Sequence, residues 1–220
     1  MEINSLLIKE VRAKFPTHAV RGEEEEYTGQ GCEYLWSCDP VDGTAQFARG
    51  VGVSVFSLAL VIDGEPVVGV VLDPFTNSLY WAAKGKGAYK NGERIYVSKT
   101  NFGDEGSMSN YCGVPNLSTA VFNIYDAIVE LRQNGYFVNI GSCVRACMAV
   151  AEGAYNLQLF PNTTAHDVAS AKIIVTEAGG IVTDLFGEKQ RYDRDIKGAI
   201  VCNKVVFKQV LDCVKKNLNQ

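Results

Sequence analysis

Two aspartates three positions apart, Asp39 and Asp42, stand in the run LWSCDPVDGT. Carboxylates this close repel one another unless a cation lies between them, and magnesium is the usual neutraliser of an all-oxygen ligand set. The backbone carbonyl of Val41 offers a further oxygen. Gly43 lets the chain approach a ligand closely, and the N–H groups of Gly43 and Thr44 at the start of a helical turn make a phosphate cradle. One segment therefore offers metal ligands and an anion site together. The blander reading is a tight turn made by Asp-Pro and Asp-Gly, and the segment alone does not decide between the two.

Other acidic residues could join it. Upstream, Arg21-Gly22 leads into Glu23 to Glu26, where Glu25 and Glu26 read as a solvated acidic loop. Downstream, AHDVASAKIIVTEAGG has the apolar spacing of a helix that begins near Asp167 and stops at Gly179-Gly180. Taken alone, Asp167 in that first turn is a surface acid favoured by the helix dipole.

The elements that must position these groups follow from the pattern of the chain. LWSC is a short apolar stretch, so the spacing predicts a strand leaving its sheet at Asp39, with Pro40 preventing further pairing. From Val53 to Val97 the runs VSVFSLALVI, PVVGVVL, SLYWAA and RIYVS are separated by Asp63-Gly64, Asp73-Pro74 and Asn91-Gly92, which predicts antiparallel neighbours. MEINSLLIKEVRAKFP reads as an amphipathic helix closed by Pro16, with Ile3, Leu7 and Val11 on one face. After about Lys99, helical segments near 118–134, 144–153, 167–178 and 204–218 alternate with the apolar runs YFVNIG, YNLQLF, GIVTDL and GAIVCN. This predicts an α/β second half beyond a boundary in the polar stretch at 98–106.

Composition narrows the function classes. The 220 residues are 47% hydrophobic, enough for one good core or two modest ones that share an interface. Lys plus Arg number 21 against 25 Asp plus Glu, with no basic block, so no nucleic-acid partner is expected. The longest apolar stretch, Val51 to Ile62, is interrupted by Gly52, Ser54 and Ser57 and is too short to span a bilayer. No membrane insertion is expected, and the N-terminus lacks a signal-peptide layout. The seven cysteines are scattered with no Cys-x-x-Cys pair, which predicts reduced thiols and a cytoplasmic location. Cys143 and Cys147 could share a helical face, but core or cleft lining is a better reading than zinc. Gly85-Lys86-Gly87 falls in a predicted hairpin, not at a strand-to-helix turn, so a dinucleotide-binding reading fails.

Taken together, FPTHAVRGEE, LWSCDPVDGTAQF, the GKGAYKNGERIYVS hairpin, the Gly-Ser-Cys segment at Gly141 and AHDVASAKIIVTEAGG give a resemblance over nearly the whole chain. The chain resembles the inositol monophosphatase family of lithium-sensitive, magnesium-dependent phosphatases, which also holds histidinol-phosphate, fructose-bisphosphate and 3'-phosphonucleotide phosphatases. The resemblance implies a layered α-β-α-β-α sandwich, antiparallel in the first half and mixed in the second. Residues 1–100 would form a metal-binding subdomain and residues 101–220 an α/β subdomain completing the site. It implies that Glu23, Asp39 and the Val41 carbonyl hold one magnesium and that Asp39, Asp42 and Asp167 hold a second, for two or three ions in all. Glu24 follows as a supporting acid. Gly43 and Thr44 would bind phosphate, with the Thr44 hydroxyl also orienting the attacking water, and Gly141 and Ser142 would contact substrate. A small phosphorylated metabolite is the partner so implied, and a homodimer the assembly.

Three departures bear on activity. The family's water-activating Asp, which partners the motif threonine, would fall immediately before Met1, and the helical segment that precedes it is also missing. The expectation is a natural short form or a truncated chain. Phe160 stands where inositol-hydrolysing members carry a glutamate, which favours histidinol phosphate or a sugar phosphate over inositol phosphate. His166 replaces a tryptophan and reads as a packed or solvent-facing substitute. The leading expectation is hydrolysis of a small phosphate monoester by two-metal activation of water. The alternative is a catalytically impaired metal- and phosphate-binding member that acts through protein contacts.

Overall fold

Tight turns set the pairing of the first half. Asp63 and Gly64 have φ of 51° and 80°, and Asn91 and Gly92 of 51° and 86°. Two successive left-handed residues match the twist of a hairpin, and Asn, Asp and Gly reach that region most easily. The turns join β4 (Val55–Ile62) to β5 (Glu65–Asp73) and β7 (Gly87–Lys90) to β8 (Glu93–Arg94). With β1 (Ala19–Gly22), β2 (Glu26–Tyr27), β3 (Tyr34–Asp42) and β6 (Ser78–Ala83) they form an eight-stranded sheet in the order β2-β1-β3-β4-β5-β6-β7-β8. All neighbours are antiparallel except β1 and β3. The computed structural model of the chain describes residues 2–23, 26–27, 33–105, 107–112, 122–132 and 135–218.

The second sheet is mixed, in the order β10-β9-β11-β13-β12, from β9 (Met108–Tyr111), β10 (Tyr136–Val138), β11 (Leu157–Phe160), β12 (Ile181–Thr183) and β13 (Ala199–Cys202). Helices α4 (Cys143–Ala151) and α5 (Ala165–Glu177) lie between the two sheets. Helix α1 (Glu2–Lys14) packs on β1 and β3, on the first sheet's other face, while α3 (Ile124–Leu131) and α6 (Phe207–Lys216) cover the second sheet. The fold is therefore a mixed α/β stack of helix and sheet layers. Alternate residues of β4, namely Val55, Ser57, Ala59 and Val61, are buried toward α5. The core they join runs across both sheets to Phe160 and Val201.

Three expectations change. Of RIYVS only Arg94 lies in a strand, and the following residues make single backbone bonds instead, Ile95 N–H to Ala88 and Val97 N–H to Ala178. The chain there is crossing from one sheet to the other, so its apolar alternation serves two separate surfaces. Glu26 is not a loop residue but sits in β2, within 3.3 Å of Arg21. The cysteines are not all reduced: Cys112 and Cys143 form a disulfide with Cα atoms 6.2 Å apart. Their sequence separation of 31 hides a proximity made by the topology, which brings the end of β9 to the start of α4. Cys38, Cys147, Cys202 and Cys213 are free and buried. Among the described residues no helix is long and apolar enough to cross a membrane.

Candidate active site

Residues 39 and 42 of a regular strand would point to opposite faces of the sheet, since side chains alternate with period two. A bulge in β3 corrects this. Asp39 pairs with Ser57 and Asp42 with Val55, so three steps on β3 match two on β4, and the irregularity falls at Pro40 and Val41. The extra residue returns Asp42 to the face of Asp39, toward α5. Pro40 does not end the strand, as its lack of an N–H predicted. It occupies the bulge, where one ladder bond is lost anyway, and β3 continues to Asp42.

Asp42 is seated on the start of α4. Ser142 is the N-cap of that helix, and its hydroxyl donates a short hydrogen bond to Asp42 Oδ2. The backbone N–H groups of Cys143 and Val144 donate to the two carboxylate oxygens at 3.2 and 2.9 Å. Orphan amides at a helix start suit a carboxylate, and the helix dipole adds to the attraction. Asp39 Oδ1 accepts from Val41 N–H at 2.9 Å. Asp167 is the third helical residue of α5, and its Oδ2 accepts from Thr164 N–H at 3.0 Å and from the Thr163 and Thr164 hydroxyls at 2.7 and 2.8 Å. That capping box fixes the side chain in place.

Ligand oxygens of Asp39, Asp42 and Asp167 all lie within 4.8 Å of one another. Asp39 and Asp42 are 3% and 6% exposed, and the partners they have are N–H and O–H donors, with no Lys or Arg among the described residues. Burial pushes the Asp39 carboxyl up to about 8, helped by the charges of Asp42, Asp167 and Glu23 and opposed by Val41 N–H. Burial also lifts Asp42 to about 6, with the Ser142 hydroxyl holding it down and Asp167 raising it further. Three converging carboxylates with uncompensated charge are a fit for a hard divalent cation.

Glu23 is exposed and stands apart from this tight trio. It lines a cleft of about 570 Å³ together with Glu2, Ile3, Val41, Thr44 and Phe47. The Thr44 hydroxyl donates to the Val41 carbonyl at 3.0 Å. Gly43 has φ of 85°, and a Cβ there would meet Ser142 Cβ at 3.1 Å and the Gly141 carbonyl at 3.2 Å. Glycine is thus required by conformation and by the close approach of the α4 start. Gly141, at φ of 78°, has the Gln46 side chain against its open face. Glu24 lies outside the described residues. Phe160 is fully buried in the core, and His166 is mostly packed, with Nε2 3.6 Å from Asp167 Oδ1.

Sequence reasoning assigned Ser142 to substrate and did not find its bond to Asp42. The Gly-Ser pair ahead of an apolar helical run carried an N-cap signal that would have located the helix start, though not what sits on it. Ser142→Ala removes a hydrogen bond to a charged group, a loss of about 1.5–3 kcal/mol. Calorimetric titration is expected to show magnesium affinity at neutral pH falling by about tenfold or more, since one unit of 1.4 kcal/mol is a factor of ten. An unchanged affinity would mean that Ser142 does not hold Asp42 in its binding state.

Comparison with known proteins places this geometry among relatives. A sequence profile described as "Inositol monophosphatase family" matches residues 1–217. The chain is 38% identical over 220 residues to the fructose-1,6-bisphosphatase/inositol-1-monophosphatase of Aquifex aeolicus, covering 95% of this chain and 78% of that one. It is 34% identical over 185 residues to the histidinol-phosphatase of Mycobacterium tuberculosis, covering 78% and 67%. The solved structure of a Thermotoga maritima IMPase superposes with a TM-score of 0.85 at 30% identity, covering 98% of this chain and 81% of that one.

Proposed function

The chain belongs to the inositol monophosphatase family and is a phosphoric monoester hydrolase; from that premise we propose that it hydrolyses a small phosphorylated metabolite with magnesium held by Asp39, Asp42, Asp167, Glu23 and the Val41 carbonyl. The observation that carries the proposal is the buried, uncompensated trio of carboxylates converging within 4.8 Å. Magnesium bound there supplies Lewis-acid polarisation of the phosphoryl group and a water made acidic enough to attack at neutral pH.

The residues of the chain then have distinct tasks. Asp39 feels the charges of Glu23 as well as of Asp42 and Asp167, so it would hold the metal together with these acids. The Thr44 hydroxyl donates its hydrogen bond to the Val41 carbonyl, which leaves its lone pairs to accept from the attacking water. The Gly43 and Thr44 amides bind phosphate oxygens, and the absence of a Cβ at Gly43 lets this segment lie against Gly141 and Ser142. Gly141 and Ser142 border the substrate from the α4 side, with Ser142 also holding Asp42. The buried Phe160 offers no carboxylate to the inositol hydroxyls, which supports histidinol phosphate or a sugar phosphate ahead of inositol phosphate.

Phosphate release from a panel of histidinol, sugar and inositol monophosphates, with and without magnesium and lithium, tests the proposal. Magnesium-dependent release that lithium suppresses is expected. Release from none of the panel sinks it. Within the same assay Thr44→Ala is expected to lower kcat by about 10²-fold with little change in KM, the usual size for loss of a group that handles the water's proton. Thr44→Ser keeps the hydroxyl and should recover most of the rate; equal losses in the two variants would assign Thr44 a packing role.

A further inference from the structure

The disulfide lies at the seat of Asp42. Cys143 is the middle of three consecutive residues whose Ser142 hydroxyl, Cys143 N–H and Val144 N–H hold that carboxylate. Just before them, Gly141 takes a φ of 78°, a conformation that favours glycine. The other sulfur belongs to Cys112, at the end of β9, whose N–H donates to the Leu159 carbonyl at 3.0 Å and continues the β9–β11 pairing. The covalent link therefore ties the first turn of α4 to the end of β9 in the second sheet.

Resting on the metal site proposed above, we infer that the Cys112–Cys143 disulfide is a reducible modification site that sets how firmly Asp42 is presented to magnesium. The two sulfurs differ in access: Cys143 is half-buried and Cys112 is buried. An incoming thiolate of a dithiol attacks the Cys143 sulfur, the S–S bond breaks, and the electron pair leaves on Cys112. Gln158 Nε2 stands 3.0 Å from Cys112 Sγ, and its orientation is fixed because its Oε1 accepts from Asn110 at 2.5 Å. That amide donates to the departing thiolate before it takes a proton. The second thiol of the reagent then displaces Cys143 from the mixed disulfide. Two protein thiols and one oxidised dithiol result, with two electrons and two protons transferred to the protein. Free of the link, the first turn of α4 opens more readily, and the three donors spend less time on Asp42.

The test uses the chain prepared without reductant and the same chain after dithiothreitol, with alkylation and peptide mass mapping to assign the state of Cys112 and Cys143. Calorimetric titration with magnesium and phosphate release at graded magnesium are measured in both states. Reduction is expected to weaken magnesium binding about three- to tenfold while thermal unfolding stays cooperative. Cys112→Ser, which leaves α4 untouched, should bind magnesium like the reduced chain and no longer respond to dithiothreitol. Equal magnesium affinity in both states of the unmodified chain overturns the inference, as does alkylation of Cys112 and Cys143 before any reductant is added. A magnesium-affinity shift in a chain that releases no phosphate supports this inference and counts only against the phosphatase reading.

Discussion

Asp39→Asn is expected to lower magnesium-dependent phosphate release by about 10³-fold and, in the metal-free chain, to raise thermal stability. The substitution keeps shape and removes one negative charge from a site where Asp39 is 3% exposed beside Asp42, Asp167 and Glu23. As a carboxylate proposed to hold the metal it would support the metal chemistry, so a loss of roughly 4 kcal/mol of transition-state stabilisation, about 10³-fold in rate, is the expected scale. The same charge is a burden without metal. Burial and three neighbouring carboxylates lift Asp39 to about 8, and each unit above its ordinary value is about 1.4 kcal/mol of strain on the ionised form. Above that pH the variant should be more stable than the unmodified chain by on the order of a few kcal/mol, and so unfold at a higher temperature. Activity and stability moving in opposite directions is the signature of a functional carboxylate; a loss of both would make Asp39 a structural residue.

The second large effect is on the pH dependence of stability. Folded values of about 8 for Asp39 and about 6 for Asp42 lie above the ordinary 3.8, so between these limits the folded chain binds more protons than the unfolded one. Stability from these two groups is then fully present near pH 4 and is lost as pH rises through about 6 and 8. Magnesium competes with those protons, so its stabilising effect should grow over the same range. Differential scanning fluorimetry is expected to show little magnesium-induced rise in Tm at pH 5 and a rise of several degrees at pH 8, at roughly 2–4 °C per kcal/mol for a chain of this size. In Asp39→Asn the metal-free decline with pH should be shallower. A magnesium effect that is constant from pH 5 to 8 would contradict the assignment of the buried carboxylates as its ligands.

Much of this was legible in the chain. The helical spacing of AHDVASAKIIVTEAGG placed α5 to within two residues, and the Asp-Gly and Asn-Gly turns gave the antiparallel order of β4 to β8. Local rules reach that far because turn type and apolar period are properties of neighbouring residues. The strand β9 was not found, since Met-Ser-Asn-Tyr has no apolar alternation and is a strand only because β10 and β11 flank it on both sides. The bulge at Pro40 and Val41 was misread as a strand end, because the N–H that proline lacks is the same deficit in either case. That bulge, rather than the spacing of Asp39 and Asp42 alone, turns both carboxylates to one face. The bond from Ser142 to Asp42 and the Cys112–Cys143 link join residues 100 and 31 positions apart, a separation that no local pattern spans.

Asp39, Asp42 and Asp167 are proposed to hold the magnesium on which phosphate release depends. Inorganic phosphate released from the monoester panel by the unmodified chain and by Asp39→Asn, each titrated with magnesium, tests it most directly. The account predicts release that is absent without magnesium, saturates with it, and falls by about 10³-fold in the variant. Release that needs no magnesium, or that the variant retains at a comparable rate, would contradict it.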